Sequence, residues 1–123
     1  MIIIDYNDKR PIYEQIIERF QTLIINGVME TDEKLPSVRT LAVELSINPN
    51  TIQRAYTELE KDGFIYTVKG RGNFVKRDEE FIRKHREKLL AGLEEQARTC
   101  MKQGIDRQEL ICCIEKVTEE VLA

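Results

Sequence analysis

Apolar residues recur along this chain at two different periods, and the changes of period divide it into elements. Ile2, Ile3 and Ile4 are consecutive β-branched residues and predict a short strand. Asp5 to Arg10 is polar and turn-like, and Pro11 suits the first turn of a helix. Ile12, Ile16, Phe20, Leu23 and Ile24 then trace one helical face. Gly27 closes that helix, with Val28 as the apolar residue packed beyond it. An acidic loop follows over 30–34.

Leu35-Pro36-Ser37 announces a second helix with Ser37 as its N-cap. Val38, Leu41, Ala42 and Leu45 give its core face. The helix breaks at Ser46-Ile47-Asn48. Asn48 caps a third helix, and Pro49 takes its first position, where a missing N–H costs nothing. Ile52, Ala55, Tyr56 and Leu59 face inward, Lys61 sits in the last turn, and Gly63 and Phe64 follow. Two capped helices joined by a short turn predict a helix-turn-helix. The period then falls to two. Residues 64–68 read as a strand, Lys69-Gly70-Arg71-Gly72 as a glycine-rich turn, and 73–75 as a return strand. A hairpin placed directly after a helix-turn-helix is a wing.

Helical periodicity resumes at Asp78. Phe81, Ile82, Leu89, Leu93, Ala97, Cys100 and Met101 form one stripe, which Gly104 ends. Asp106 caps a final helix with Glu109 three residues on, a capping box. Leu110, Ile111, Ile114, Val117 and Val121 are its apolar face. The expected fold class is α+β, mainly α. A winged helix-turn-helix over 1–76 precedes a two-helix dimerisation segment over 77–123.

Composition narrows the function. With 123 residues, 41% hydrophobic and 33% charged, the chain can bury one modest core. No apolar run approaches the roughly 20 residues that span a bilayer, and no signal peptide is evident, so a cytoplasmic, non-membrane protein is expected. Three cysteines make no disulfide framework, and a single histidine leaves no basis for a His-containing metal site or a Ser/His/Asp set. The cysteines are expected to be reduced and to pack as small hydrophobes. No catalytic residues, cofactor or metal are expected. Net charge is −3, which disfavours nucleic acid until its distribution is considered. Residues 64–77 contain Lys69, Arg71, Lys76 and Arg77 and no acid. One basic face on an acidic body is therefore expected.

The outward positions near the start of the third helix are Asn50, Thr51, Gln53 and Arg54. Asn and Gln can bond bidentately to adenine, and Arg to guanine, in the major groove. Ordinary solvation is the bland reading of such residues, but the helix-turn-helix and wing around them favour DNA contact. Arg39 lies in the first turn of the second helix, where the helix dipole disfavours a cation. A phosphate bound there beside Ser37 would explain it. The alternative is an ion pair with Glu44 or Glu33. Gly70 and Gly72 permit a tight turn and also let the wing approach DNA closely, flanked by Lys69 and Arg71.

Taken together, Pro11-Ile12-Tyr13-Glu14-Gln15-Ile16, Leu35-Pro36-Ser37-Val38-Arg39-Thr40-Leu41-Ala42, Asn48-Pro49-Asn50-Thr51-Ile52, Arg54-Ala55-Tyr56, Leu59-Glu60 and Gly70-Arg71-Gly72-Asn73-Phe74-Val75 resemble the GntR family of bacterial regulators over about residues 8–76. The resemblance implies a winged-helix DNA reader that usually represses, with contacts at Ser37, Arg39, the start of the third helix and the wing glycines. Many members carry arginines where this chain has Pro49 and Gln53, so those contacts do not carry over. Asn-Pro-Asn-Thr is typical of the subfamily named after YtrA and of the aminotransferase-fused branch. The two-helix tail is far too short for the latter. The YtrA-like group is often encoded beside ABC-transporter genes.

The tail's stripes, with Leu89, Leu93, Ala97 and Met101 on one helix and Ile111, Ile114, Val117 and Val121 on the other, are too long to be buried against each other alone. A homodimer would cover them, and two recognition helices would then read a pseudopalindromic site. Folding back onto the DNA-binding domain is the alternative. The expected partners are double-stranded DNA and a second copy. An unidentified small-molecule effector is left open, with room at the dimer interface or around Lys76–Glu80. A winged helix used only for protein interaction is the competing function.

Overall fold

The computed structural model describes residues 2–122. The chain divides into two compact units between Ile82 and Arg83. The first contains α1 (Ile12–Ile25), α2 (Val38–Leu45), α3 (Pro49–Lys61), β1 (Ile65–Val68), β2 (Gly72–Val75) and the start of α4 (Glu79–Lys102). The second contains the rest of α4 and α5 (Arg107–Leu122).

The core of the first unit follows the helical stripes. Ile16, Phe20 and Ile24 of α1 meet Leu41 and Ala42 of α2, and Ile52, Ala55, Tyr56 and Leu59 of α3. Phe64, Ile65 and Val75 bring the hairpin onto the same cluster. Burying one such large side chain contributes about 1.5–3 kcal/mol, a sizeable part of a small domain's net stability. Tyr56 sits at the centre. Its ring meets Phe20 edge-on at 5.6 Å, and its hydroxyl donates to the Pro36 carbonyl at 2.7 Å. That bond ties α3 to the entrance of α2. Burial pushes the Tyr56 phenol pKa up.

The caps are side-chain hydrogen bonds. Ser37 Oγ accepts from the Thr40 amide at 3.1 Å, and Asn48 Oδ1 accepts from the Asn50 amide at 2.8 Å. Between the two helices Ser46 takes the left-handed conformation, φ 54°, so the chain reverses within three residues. At the end of α3, Gly63 has φ 86°, and a Cβ there would lie 3.2 Å from the Phe81 ring. Phe81 in turn packs edge-on against Phe64, with ring centroids 4.8 Å apart. The first turn of α4 is thereby seated on the C-terminus of α3, which carries the first unit beyond the hairpin.

Three local expectations are corrected. Residues 2–5 form no strand. Ile2 is buried and Ile3 is 67% exposed, and no strand pairing involves the segment among the described residues. Buried Gln15 holds this segment instead. Its Oε1 accepts from the Asp5 amide at 2.9 Å, and its Nε2 donates to the Asp5 carbonyl at 3.0 Å. Pro11 precedes α1 as its N-cap rather than entering its first turn. Beyond Gly27 the packed residue is Met29, whose amide donates to the Leu23 carbonyl at 3.1 Å, while Val28 points to solvent.

The hairpin pairs Ile65 with Val75, Tyr66 with Phe74, Thr67 with Asn73 and Val68 with Gly72. The outer edge of β2 is covered by residues 32–35. Asp32 N donates to Val75 O, Val75 N to Glu33 O and Leu35 N to Asn73 O, each at 2.9 Å. Tyr66 Oη also donates to Asp32 Oδ1 at 2.8 Å, and that bond raises the phenol's pKa. The loop that reads as merely acidic is therefore the brace of the wing.

In the second unit the capping box forms as expected. Glu109 N donates to Asp106 Oδ1 at 2.9 Å, and Asp106 N to Glu109 Oε2 at 3.0 Å. No described residue of α4 or α5 is buried. Half-buried Ala97, Cys100, Leu110 and Ile111 lie on either side of the Gly104 turn. Cys112 and Cys113 are exposed and do not act as core hydrophobes. Among the described residues no helix is long and apolar enough to cross a membrane.

Candidate nucleic-acid interface

The N-terminus of α2 carries an exposed polar cluster. Ser37 Oγ and Thr40 Oγ1 are hydrogen-bonded at 2.8 Å, and Arg39 projects from the same turn. The first intrahelical bond runs from Leu41 N to Ser37 O, so the Val38 and Arg39 amides lie ahead of it, as the first N–H groups of any helix do. Among the described residues Arg39 pairs with neither Glu33 nor Glu44. Thr40 was not anticipated from sequence. A hydroxyl three residues after an N-cap serine is common, and only the fold shows that the two share one turn.

On α3, Pro49, Asn50, Gln53 and Arg54 are exposed and Thr51 is half-buried. Gln53 Nε2 donates to Thr57 Oγ1 at 3.3 Å, which adds Thr57 to the polar face. Arg54 is differently placed. Its guanidinium carbon lies 3.7 Å from the centre of the Tyr13 ring of α1.

Lys69, Gly70 and Arg71 form the exposed wing tip, and Gly72 opens β2 with φ 118°. A Cβ at Gly72 would lie 3.1 Å from Lys34 Cε. Lys34 also bridges to Phe74 through its backbone. The glycine therefore makes room for a third wing cation, Lys34, drawn from the loop before α2. Sequence spacing carries no sign of it, because only the pairing of 32–35 with β2 brings Lys34 there.

A cavity of about 620 Å³ opens beside α2. Phe20, Leu23, Met29 and Leu41 line it, with Lys34, Ser37 and Thr40 along one side. It lies within the first unit, away from Lys76–Glu80. Among the described residues no group of three His, Cys, Asp or Glu side chains is placed to hold a metal ion.

In the second unit Leu89, Leu93, Met101, Ile114, Val117 and Val121 are between 48% and 75% exposed. Ala97 and Ile111 are half-buried. Leu90 and Leu122, absent from the stripes read from sequence, are exposed as well.

Two capped helices, an exposed polar face on the second of them and a braced cationic hairpin define a winged helix-turn-helix protein of the DNA-reading class. Residues 12–75 match the family described as "Bacterial regulatory proteins, gntR family". The chain is 49% identical over 75 residues to the HTH-type transcriptional repressor YtrA of Bacillus subtilis (strain 168), a match covering 61% of this chain and 58% of that relative. It thus spans little more than half the length of that relative. A solved GntR family transcriptional regulator from Listeria monocytogenes superposes with TM-score 0.74 at 39% identity, covering 90% of this chain and 98% of the other. The DNA-binding domain of AraR, solved in complex with operator ORR3, superposes with TM-score 0.52 at 29% identity, covering 59% and 88%. This chain belongs to the GntR family. Its matched region is that of a YtrA-like, DNA-binding transcriptional regulator.

Proposed function

We propose that this regulator is a repressor that binds a pseudopalindromic operator as a homodimer, with ABC-transporter genes among its targets. The observation that carries the DNA-contact assignment is Arg39. An exposed cation in the first turn of α2 costs roughly 0.3–1 kcal/mol against the helix dipole, and among the described residues no carboxylate pairs with it. A phosphate oxygen bound to the free amides of that turn would do so. In this reading Ser37, Thr40 and Arg39 hold phosphate. Asn50, Thr51 and Gln53 face bases, with Pro49 setting the start of α3. The wing, through Lys69, Gly70, Arg71 and Gly72 with Lys34 behind them, follows the adjacent backbone or minor groove.

Dimerisation is supported by the apolar stripes of α4 and α5, which the second unit leaves exposed. The name of the Bacillus subtilis relative supports repression, and resemblance to the YtrA-like group supports transporter genes as targets. A small-molecule effector of unassigned chemistry would find room in the cavity beside Ser37. The test is a salt series of binding measurements on duplex DNA from upstream of the regulator's own gene. Arg39→Ala should weaken binding to every sequence and lower the salt slope by about 0.9. Gln53→Ala should instead relax discrimination at one base position, by about 1–3 kcal/mol. Unchanged binding in both variants would overturn the surface assignment.

A further inference from the structure

The stack of Arg54 on Tyr13 has no role in the reading above, and its geometry assigns Arg54 a different part from its neighbour Gln53. Side chains one residue apart leave a helix about 100° apart. Gln53 and Arg54 therefore depart on either side of the line through Asn50 and Thr57. The guanidinium of Arg54 does not stand in front of α3. It is drawn sideways over α1, 3.7 Å from the Tyr13 ring centre. With its central carbon this close to the ring centre, the cation is covered by the ring on one side and keeps its five N–H donors for a partner. Among the described residues no carboxylate or carbonyl occupies those donors. Arg54 itself is exposed and Tyr13 half-buried, so the ring is the fixed partner and the cation the accessible one.

We propose that Tyr13 and Arg54 form a pre-assembled phosphate clamp at the α1 flank of the recognition helix, in which Arg54 grips the DNA backbone and Tyr13 is the positioning residue that holds it. A helix lying in the major groove has base edges in front of it and phosphates along its flanks. A guanidinium held over the neighbouring helix faces the backbone. Arginine is suited to this because its fork binds two phosphate oxygens in one plane and its face stacks on an aromatic ring, which lysine cannot reproduce. Stacking also removes rotamer freedom before DNA arrives, so less is lost on binding. Arg54 is thereby moved from the base-reading set to the backbone-gripping set, and Tyr13 joins the interface.

This inference rests on the DNA-binding reading above, and the experiment separates the two. Affinity is measured by fluorescence anisotropy across a salt series, on a duplex from upstream of the regulator's gene and on a scrambled duplex of the same length. Wild type, Arg54→Met, Tyr13→Leu and the double variant are compared, each checked by thermal melting. Arg54→Met should lose about tenfold on both duplexes, as expected for one charge-assisted contact. Its salt slope should fall by about 0.9. Tyr13→Leu should weaken both duplexes by a smaller factor, and adding it to Arg54→Met should cost nothing more. A loss confined to the upstream duplex with an unchanged slope would make Arg54 a base reader and overturn the clamp. A lowered melting temperature with unchanged affinity would make the stack a structural staple and overturn it equally. If wild type binds neither duplex, the DNA contact surface itself is misassigned.

Discussion

Tyr56→Phe isolates one hydrogen bond at the junction of α2 and α3. The phenol is 1% exposed, and its hydroxyl donates to the Pro36 carbonyl at 2.7 Å. Phenylalanine keeps the ring and its edge-on contact with Phe20, so no cavity opens. What is lost is one well-formed bond, and the Pro36 carbonyl is left without that donor. Such a loss costs about 1–2 kcal/mol, well below the 3–5 kcal/mol of deleting a core aromatic ring. Alkali gives a second reading of the same bond. The folded state holds the phenol neutral, because burial raises its pKa above the ordinary 10.0. Stability from this group is therefore complete below about pH 10 and falls as pH rises further, since only the unfolded chain then ionises it. At pH 11 that penalty is about 1.4 kcal/mol for wild type and absent in the variant. Urea unfolding followed by circular dichroism at pH 7 and pH 11 measures both. The variant should be less stable at pH 7 with an unchanged m-value, and the gap should nearly close at pH 11. A gap below about 0.5 kcal/mol at pH 7, or one constant between the two pH values, would refute the argument.

Two further outcomes concern the wing and the tail. Gly72→Ala should destabilise the wing by about 1–3 kcal/mol, because φ 118° is strained for alanine and the new methyl displaces Lys34; weaker binding to both specific and scrambled duplexes in the same titrations checks it. Leu93→Asp or Val117→Asp should leave the first unit's unfolding midpoint unchanged and convert a sedimenting dimer into a monomer, whereas a dimer that survives both substitutions would place the interface elsewhere.

The capped helices were legible in the sequence because their signals are local. Ser37, Asn48-Pro49, Gly63 and the Asp106–Glu109 pair each act within four residues of themselves, and all lie where their chemistry places them. The wing was legible for the same reason, since a change of period and two glycines occupy one short stretch. The failures share a different cause. Ile2–Ile4 have strand-forming side chains, but a strand needs a partner, and the chain offers them Gln15 instead. Lys34 looked like part of an acidic loop, and it becomes a wing residue only through pairing with Phe74, forty positions away. The Tyr13–Arg54 stack spans a similar distance. Side chains on two helices meet there, and no periodicity within either helix announces the meeting. The Val28–Met29 exchange is a one-residue error in the direction of the chain after a glycine.

The brace over 32–35 has a consequence beyond DNA contact. A two-stranded wing would normally expose both of its edges, and an unpaired edge is a template on which another chain can add a strand. Here the outer edge of β2 already has its hydrogen bonds filled by Asp32, Glu33 and Leu35. The segment that fills it carries the exposed charged side chains of Asp32, Glu33 and Lys34. For a regulator that concentrates its copies on DNA, a hairpin closed on this side lowers the risk of wing-to-wing aggregation where the protein is most crowded.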